Sequence, residues 1–207
     1  MTLENDTEVG SIIGSNSHID YVGEIYTETM RESPPEPTDF EFGQFVYVLK
    51  EVQGQQRAFI GIIYDTQLVD PDQGRSGPRL AQPDEQNIFQ PSYVDEKQVL
   101  TGIALLGYAE VEDGELVNPE HSIPRWTLEI DDVVRKLSEE DVIRFHEVDE
   151  EVRLEYYQRI VDVAGGFAED ILSQVLTELK EEKPGEADAL DVIQKNLEWQ
   201  TKMGGVE

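Results

Sequence analysis

The sequence predicts an α+β protein, a small closed antiparallel β-barrel of about six strands followed by a C-terminal helical segment. Two runs rich in β-branched and aromatic residues predict the barrel. Phe40 to Asp65 turns at Gly54-Gln55, and Thr101 to Asn118 turns at Glu112-Asp113-Gly114. Neither run alternates regularly with polar residues, so both strand faces need cover, which barrel closure or a neighbouring subunit would provide.

Two shorter strands are predicted before these hairpins. Val9 to Ile13 forms the first, Gly14 to Ser17 supplies a turn, and the alternating segment His18 to Thr27 forms the second. Ser33 to Asp39 then contains three prolines, which lack the N–H donors that a sheet requires. This segment is therefore expected to be an exposed connection.

A long polar segment interrupts the barrel pattern. Val69 to Gln90 is rich in Asp, Pro, Gln, Gly and Ser, and a loop of this length is expected to be functional or disordered. The chain returns to strand at Val99 to Val111, and the barrel is expected to end near Leu128. The predicted domains are therefore a barrel at residues 1–130 and acidic helices at residues 131–207.

The last third of the chain changes to a helical period. Ser138 followed by Asp141 resembles a capping box, and Gly165-Gly166 is expected to break the helical pattern. Apolar residues then recur every three or four positions. The predicted long helices are Glu151 to Ala164, Phe167 to Glu182, which Pro184-Gly185 ends, and Ala187 to Met203.

The composition is strongly acidic, with 45 Asp and Glu against 16 Lys and Arg and a net charge of -29. Neutralising phosphates requires clustered Lys and Arg, so direct binding to DNA, RNA or an anionic membrane is not expected. The charge favours long-range attraction to a basic partner. It fits equally well with a protein from a generally acidic cytosolic proteome.

No motif for a membrane anchor, a cofactor or covalent catalysis is evident in the sequence. The amino terminus lacks the features of a signal peptide, no apolar run approaches the roughly 20 residues of a membrane span, and a cytoplasmic protein is expected. The chain has no cysteine, no phosphate-binding loop, no His-Glu-x-x-His and no Gly-x-Ser-x-Gly. We therefore expect no cofactor, no metal, no small-molecule substrate and no enzymatic activity.

The three histidines are the candidates for chemistry that remain. His18 and Asp20 share one strand face, as an acid-base pair or two metal ligands would, although a solvated polar face explains the spacing as well. His121 lies in a predicted loop. His146 is followed by Glu147 and further acids, which favour its charged form and suggest a pH-responsive hinge between barrel and helices.

Partner contacts are predicted at five positions. Phe45, Ile62 and Leu106 lie in strand runs that lack polar alternation, which is typical of an interface as well as of a core. Arg75 and Arg79 are rare positive charges within the long loop and are suited to an acidic patch on another molecule, or simply to solvent.

Four short segments together resemble the HAS-barrel, the N-terminal β-barrel of HerA-type DNA-translocating ATPases, and more distantly the barrels of rotary ATP synthase subunits. The segments are Val9 to Gly14, Phe42 to Val48, Ile60 to Tyr64 and Ala104 to Gly107. The resemblance covers roughly residues 9 to 130, and it implies side-by-side packing in a ring and docking of a partner such as a nuclease. In that family a RecA-like motor follows the barrel, whereas acidic helices follow here, so ATP hydrolysis is not expected.

The sequence therefore predicts a non-catalytic assembly or adaptor protein that self-associates or docks a protein partner, such as a HerA-type ATPase or its nuclease. Two alternatives stay open. An acidic surface of this kind is also typical of a nucleic-acid mimic that occupies the basic groove of a nuclease or repressor. A pocket at the barrel mouth that uses His18, Asp20 or His121 would instead indicate a ligand binder or an enzyme.

Overall fold

The computed structural model describes residue 3 and residues 6–69, 98–148, 151–187 and 190–195. The strands in this part of the chain are β1 (Glu8–Ser15), β2 (Asp20–Ile25), β3 (Phe45–Val52), β4 (Gln55–Val69), β5 (Gln98–Glu112), β6 (Glu115–Glu120), β7 (Val133–Lys136), β8 (Glu147–Val148) and β9 (Glu151–Val152). The helices are α1 (Glu139–His146), α2 (Tyr157–Ala164) and α3 (Ala168–Glu182), and residues 190–195 are also helical.

Six strands close the predicted barrel. The hydrogen-bonded order is β2-β1-β7-β3-β4-β5, and β5 pairs back with β2, all in antiparallel fashion. One half of β5 pairs with β2, from Leu100 to Ala104, while its other half pairs with β6. The fold class predicted from the sequence, a small antiparallel barrel followed by helices, is confirmed.

Both predicted hairpins are present and close through two-residue turns. Gln53 and Gly54 join β3 to β4 with φ values of 56° and 78°, and Asp113 and Gly114 join β5 to β6 with φ values of 52° and 81°. Tight hairpins favour turns with positive φ at both central residues because their twist matches that of the strands. The first turn lies one residue earlier than predicted, at Gln53-Gly54.

The continuous apolar runs have two buried faces. In β3, Val46 and Val48 belong to a core inside the barrel, while Phe45 and Tyr47 belong to a second core outside it. The barrel-interior core contains Val9, Ile12, Tyr21, Val46, Val48, Val52, Phe59, Ile63, Ile103, Leu105, Leu128 and Val134. Closure covers one face of these strands, and the helices of the same chain cover the other.

The second core, here called the barrel–helix core, lies between the outer faces of β3 to β5 and the C-terminal helices. Its strand residues include Phe45, Tyr47, Ala58, Ile60, Ile62, Ala104, Leu106 and Ala109. Its helical residues include Phe145, Ile160, Ile171, Leu172, Val175, Leu176 and Leu179. The apolar period of α3 therefore packs on its own barrel, and residue Leu190 extends the same cluster.

Two boundaries differ from the sequence prediction. β7 lies beyond residue 130 but pairs with both β1 and β3, so the barrel ends at Lys136 and not near Leu128. The predicted helix from Glu151 begins only at Tyr157, because Glu151–Val152 pairs with Glu147–Val148 in a short hairpin. Pairing and burial override the helical period there.

Of the two long connections predicted from the sequence, the proline-containing one lies within the described residues. The proline-containing segment includes one short 3-10 turn, Pro37–Asp39, and has mostly exposed residues. Most of the predicted loop Val69 to Gln90, and most of the predicted last helix, lie outside the described residues. No helix within the described ranges is long and apolar enough to span a membrane.

Candidate functional site

The histidine and aspartate predicted to share a strand face have separate partners. Nε2 of His18 lies 2.7 Å from the carbonyl oxygen of Pro124. Asp20 accepts hydrogen bonds from the Tyr64 hydroxyl at 2.7 Å and from the Asn16 side chain at 3.0 Å. His18 precedes β2, so the two side chains are not neighbours on one regular strand face. Their bonding is that of structural groups.

His121 is buried, and it contacts the C-terminal segment. Its Nε2 donates to the carbonyl oxygen of Phe145 at 2.9 Å, because a carbonyl oxygen can only accept. Its Nδ1 must then accept from the backbone N–H of Glu155 at 3.3 Å. Burial lowers the pKa of His121 below its ordinary value. The neutral ring therefore connects the segment after β6 to Phe145, which precedes β8, and to Glu155, which follows β9.

His146 behaves in the opposite way to the sequence prediction. The side chain is fully buried, and desolvation lowers its pKa to about 3. Its acidic neighbour Glu147 is exposed and accepts a hydrogen bond from Lys183 at 2.6 Å. Burial outweighs the acidic local sequence, so the prediction that the charged form of His146 is favoured is wrong.

The hydrogen bonds of His146 also determine its tautomer. Nδ1 donates to the carbonyl oxygen of Val142 at 2.7 Å, so the neutral ring carries its proton there. Nε2 accepts from the hydroxyl of Tyr156, which is itself fully buried. Burial also raises the pKa of that hydroxyl well above its ordinary value. Two neutral, fully bonded groups stabilise the fold, and neither is placed to transfer a proton to a ligand.

The apolar residues predicted to contact a partner lie in the barrel–helix core. Phe45 is 2% exposed, and Ile62 and Leu106 are fully buried. Packing within the chain accounts for their apolar character without a partner, and they would reach one only if the helices moved away. Arg75 and Arg79, the other two predicted contacts, lie outside the described residues.

One end of the barrel is filled by the protein's own side chains. Trp126 packs against the barrel-interior core, and the Arg57 guanidinium lies over its ring at 4.5 Å from the centroid. Tyr108 meets Trp126 edge-on at 6.2 Å, and Arg57 pairs with Glu110 at 3.5 Å. Small barrels commonly fill their interior in this way. His18, Asp20 and His121 do not converge on a cleft at this end.

An open cleft lies instead between the barrel and α3. It has a volume of about 520 Å³ and is bordered by the chain before β3, the turn from β7 into α1, and one face of α3. Its wall residues are Thr38, Glu41, Gly43, Gln44, Phe45, Lys136, Leu137, Ser138, Glu139, Val142, Ile143, Gln174, Glu178, Glu181 and Glu182. We call this the α3 cleft.

The sequence determines the walls of the α3 cleft through two local features. Ser138 caps α1 by accepting from the backbone N–H of Asp141, which directs Val142 and Ile143 towards the cleft. Gly43 has a φ of 84° and lies so close to Gln174 that a Cβ would come within 2.7 Å of that side chain. The close approach of this glycine to α3 therefore defines one wall.

The charge of the α3 cleft is one-sided. Glutamates at five positions line it, Glu41, Glu139, Glu178, Glu181 and Glu182. Of the wall residues that the structure describes, Lys136 is the one basic residue, and that ammonium already pairs with Asp39 at 3.2 Å. Among the described residues, no lysine or arginine pairs with Glu41, Glu139 or Glu181. The cleft is thus suited to positive charge.

Sequence reasoning did not find the α3 cleft. The glutamates of α3 lie on an exposed helix face and read as ordinary solvated positions, since nothing local shows that a loop and α1 face them. Their spacing of three and four residues was the only available signal. Among the described residues, no group of three or more His, Asp or Glu side chains is placed to hold a metal ion.

Together these features define a closed six-stranded antiparallel barrel with a helical layer on one outer face and an acidic cleft at the junction. The sequence matches, over residues 1–207, the family described as a domain of unknown function, DUF8166. The chain belongs to that family. No curated protein matches the sequence.

Proposed function

We propose that the protein is a non-catalytic adaptor that binds a basic segment of a protein partner in the α3 cleft. One observation carries this proposal: five glutamates line an open cleft, and Lys136, the only lysine among its described wall residues, is already paired. Opposite charge across an interface speeds association and excludes acidic competitors. The net charge of -29 extends the same attraction over a longer range.

Docking of a different protein is favoured over self-association. Each copy of this chain has a net charge of -29, so two copies repel each other. A basic partner would instead be attracted. The apolar residues that sequence analysis assigned to an interface are buried within the chain. The resemblance to the HAS-barrel makes a HerA-type ATPase or its nuclease the first partner to test, in the cytoplasm.

The enzyme alternative loses support from the placement of its candidate residues. His18 and Asp20 bond separately, and His121 is buried with both ring nitrogens occupied. The nucleic-acid mimic and the adaptor both depend on acidic residues at the protein surface. The two functions differ in whether binding is confined to one site. A mimic spreads its charge over a surface, whereas the adaptor depends on the α3 cleft.

The test compares captured partners for three forms of the full chain. The cleft variant carries Glu178→Lys and Glu181→Lys, and the control carries the same charge change at Glu28 and Glu112, which are exposed outside the cleft. We expect the cleft variant to lose its partner and the control to keep it, in quantitative pull-downs from cells of the source. Equal loss for both variants, with steep salt dependence, would indicate the mimic. Retention by both would refute the cleft.

Light scattering after size-exclusion chromatography measures the molar mass and so tests whether the protein self-associates. We expect the isolated protein to have the mass of a monomer at both low and high ionic strength, because screening alone creates no apolar contact. A closed oligomer at both ionic strengths would overturn the preference for a different protein and favour ring formation.

A further inference from the structure

One face of α3 continues beyond the acidic part of the α3 cleft. Gln174, Glu178 and Glu181 are separated by four and three residues and lie along the same side of α3. Phe167, the N-cap residue immediately before α3, has a right-handed helical backbone and lies seven residues before Gln174, which continues the same side. At 1.5 Å per residue, Phe167 lies about 16 Å from Glu178 and about 21 Å from Glu181 along the axis. The face thus has an aromatic end and an acidic end.

The aromatic end is formed by two exposed side chains in contact. Phe42 is 37% exposed and Phe167 is 50% exposed, and their rings meet edge-on with centroids 5.8 Å apart. The next residue after Phe42 is Gly43, which lies against Gln174 in the cleft wall. The Phe42–Phe167 pair therefore adjoins the cleft wall through Gly43, next to the start of α3.

The cleft wall also contains apolar side chains from α1. Val142 and Ile143 of α1 are partly buried against the barrel–helix core and also line the cleft. Aromatic side chains at a protein surface commonly serve as anchoring points in interfaces, with polar groups at the rim. The cleft and the adjoining aromatic pair together provide an anchoring point, apolar wall residues and a charged end.

We propose that the cleft selects a basic segment that carries one large apolar side chain at a fixed distance from its positive charges. The apolar side chain packs on Phe42 and Phe167, and Lys or Arg side chains meet Glu178 and Glu181. An extended segment rises by roughly 3.3 Å per residue, so the anchor and the basic residues are about five to six positions apart. This inference rests on the proposed function and specifies the chemistry of the partner.

The positive charges of the chain near the cleft do not replace such a segment. Lys180 pairs with Asp191 at 2.6 Å, and Lys183 pairs with Glu147 at 2.6 Å. Both lysines are on or next to α3 but have partners away from the cleft wall. The acidic end remains available to a second protein within the part of the chain that the structure describes.

The experiment uses three fluorescent synthetic peptides of equal length and equal positive charge. The first has a Trp five positions from a group of four Lys, the second has the Trp inside the Lys group, and the third has Ala in place of Trp. Fluorescence anisotropy at low ionic strength measures their affinities for the full chain. We expect the first peptide to bind at least about fivefold more tightly than either of the others, a difference of about 1 kcal/mol.

Two variants assign that preference to its residues. Phe42→Ser with Phe167→Ser is expected to abolish the advantage of the first peptide while leaving the Ala peptide unchanged. Phe42→Leu with Phe167→Leu keeps an apolar surface and should retain part of the advantage. It also serves as the test if the serine variant fails to fold, as judged by circular dichroism. Glu178→Lys with Glu181→Lys is expected to weaken all three peptides.

The outcomes separate the two proposals. Equal affinity of all three peptides for the wild type, with loss in the Glu178→Lys, Glu181→Lys form, would overturn the spacing inference and retain the basic-segment adaptor. Affinity that is equal for the wild type and that charge-reversed form would overturn both. An advantage of the first peptide that survives Phe42→Ser with Phe167→Ser would show that the anchor lies elsewhere and would also overturn the inference.

Discussion

The hydroxyl of Tyr156 donates to Nε2 of His146 at a fully buried position in the barrel–helix core. The other ring nitrogen donates to the carbonyl oxygen of Val142, so His146 cannot accept a further proton without losing the Tyr156 bond. His121 and Phe145 meet the ring edge-on, with centroids at 5.9 Å and 5.4 Å. A charge on His146 would therefore be desolvated and placed beside a second imidazole.

This arrangement predicts that acid weakens the fold through His146. Its pKa is about 3 in the folded protein, against an ordinary value of 6.5, so below pH 6.5 the unfolded chain binds a proton that the folded chain does not. The free energy of unfolding should fall as pH decreases from about 6.5 towards 3. By pH 5 the contribution of this residue is a loss of about 2 kcal/mol.

Urea denaturation at pH 7 and pH 5 measures this loss. His146→Leu combined with Tyr156→Phe removes both bonded groups and should reduce the pH dependence by about 2 kcal/mol relative to the wild type. His121 retains its own smaller contribution, since burial also lowers its pKa, and Arg159 donates to the His121 carbonyl oxygen nearby. Leu68→Ala, an exposed position without an ionisable group, is the control and should leave the dependence unchanged. An unchanged slope in the double variant would contradict the prediction.

Removing only the hydroxyl of Tyr156 is expected to destabilise the protein at neutral pH. Tyr156→Phe leaves Nε2 of His146 buried without a donor, which costs about 1–3 kcal/mol of unfolding free energy. Tyr157→Phe is a matched control one position later, because that side chain is only partly buried and its hydroxyl has no hydrogen bond within the described residues. Equal midpoints of thermal unfolding for the two variants would argue against the buried bond.

Leu106 allows a direct comparison of the core and interface interpretations. It is fully buried between the barrel and the helices, so Leu106→Ala should lower the free energy of unfolding by about 2–5 kcal/mol in the isolated protein. Leu68→Ala, at a side chain that is 80% exposed, should change it by less than about 0.5 kcal/mol. A small effect of Leu106→Ala on stability would return this residue to the list of interface candidates.

Gly107 is predicted to tolerate no side chain. A Cβ there would lie 2.1 Å from the carbonyl oxygen of Glu120, so Gly107→Ala must push β5 away from the end of β6. We expect a loss of about 1–3 kcal/mol in the free energy of unfolding. Gly185→Ala provides the control, since a Cβ at Gly185 meets nothing within 4 Å and should have little effect. Similar chemical denaturation curves for both variants would contradict the close approach.

The elements that sequence analysis found are those with strong local signals. Asp113-Gly114 marks a tight hairpin turn whatever surrounds it, and Gly165-Gly166 interrupts the helical pattern where the chain leaves α2. The continuous apolar runs of β3 and β4 correctly indicated two covered faces. They could not indicate whether the second cover came from another subunit or from the helices, because both present the same apolar surface to a strand.

The features that sequence analysis missed depend on distant parts of the chain. Val133–Lys136 is a short strand with no distinctive pattern, and it is defined by hydrogen bonds to β1 and β3. The neutral state of His146 likewise depends on burial and on Tyr156, ten residues later, whereas the acidic sequence around it suggested a charged ring. Local charge was a poor guide because the ring is fully buried while the adjacent Glu147 is exposed to solvent.

The position of β7 between β1 and β3 also affects how the protein is made. About 120 residues of the chain separate β1 from its partner strand β7. At a synthesis rate of about 5–20 residues per second, the ribosome needs roughly 6–25 s to supply that partner. During this interval β1 has a free edge and the hairpin surfaces that the helices will cover are exposed. Until translation has passed the barrel and its helices, nascent chains therefore present an unpaired strand edge and apolar surface, the features that make an incomplete chain prone to aggregation.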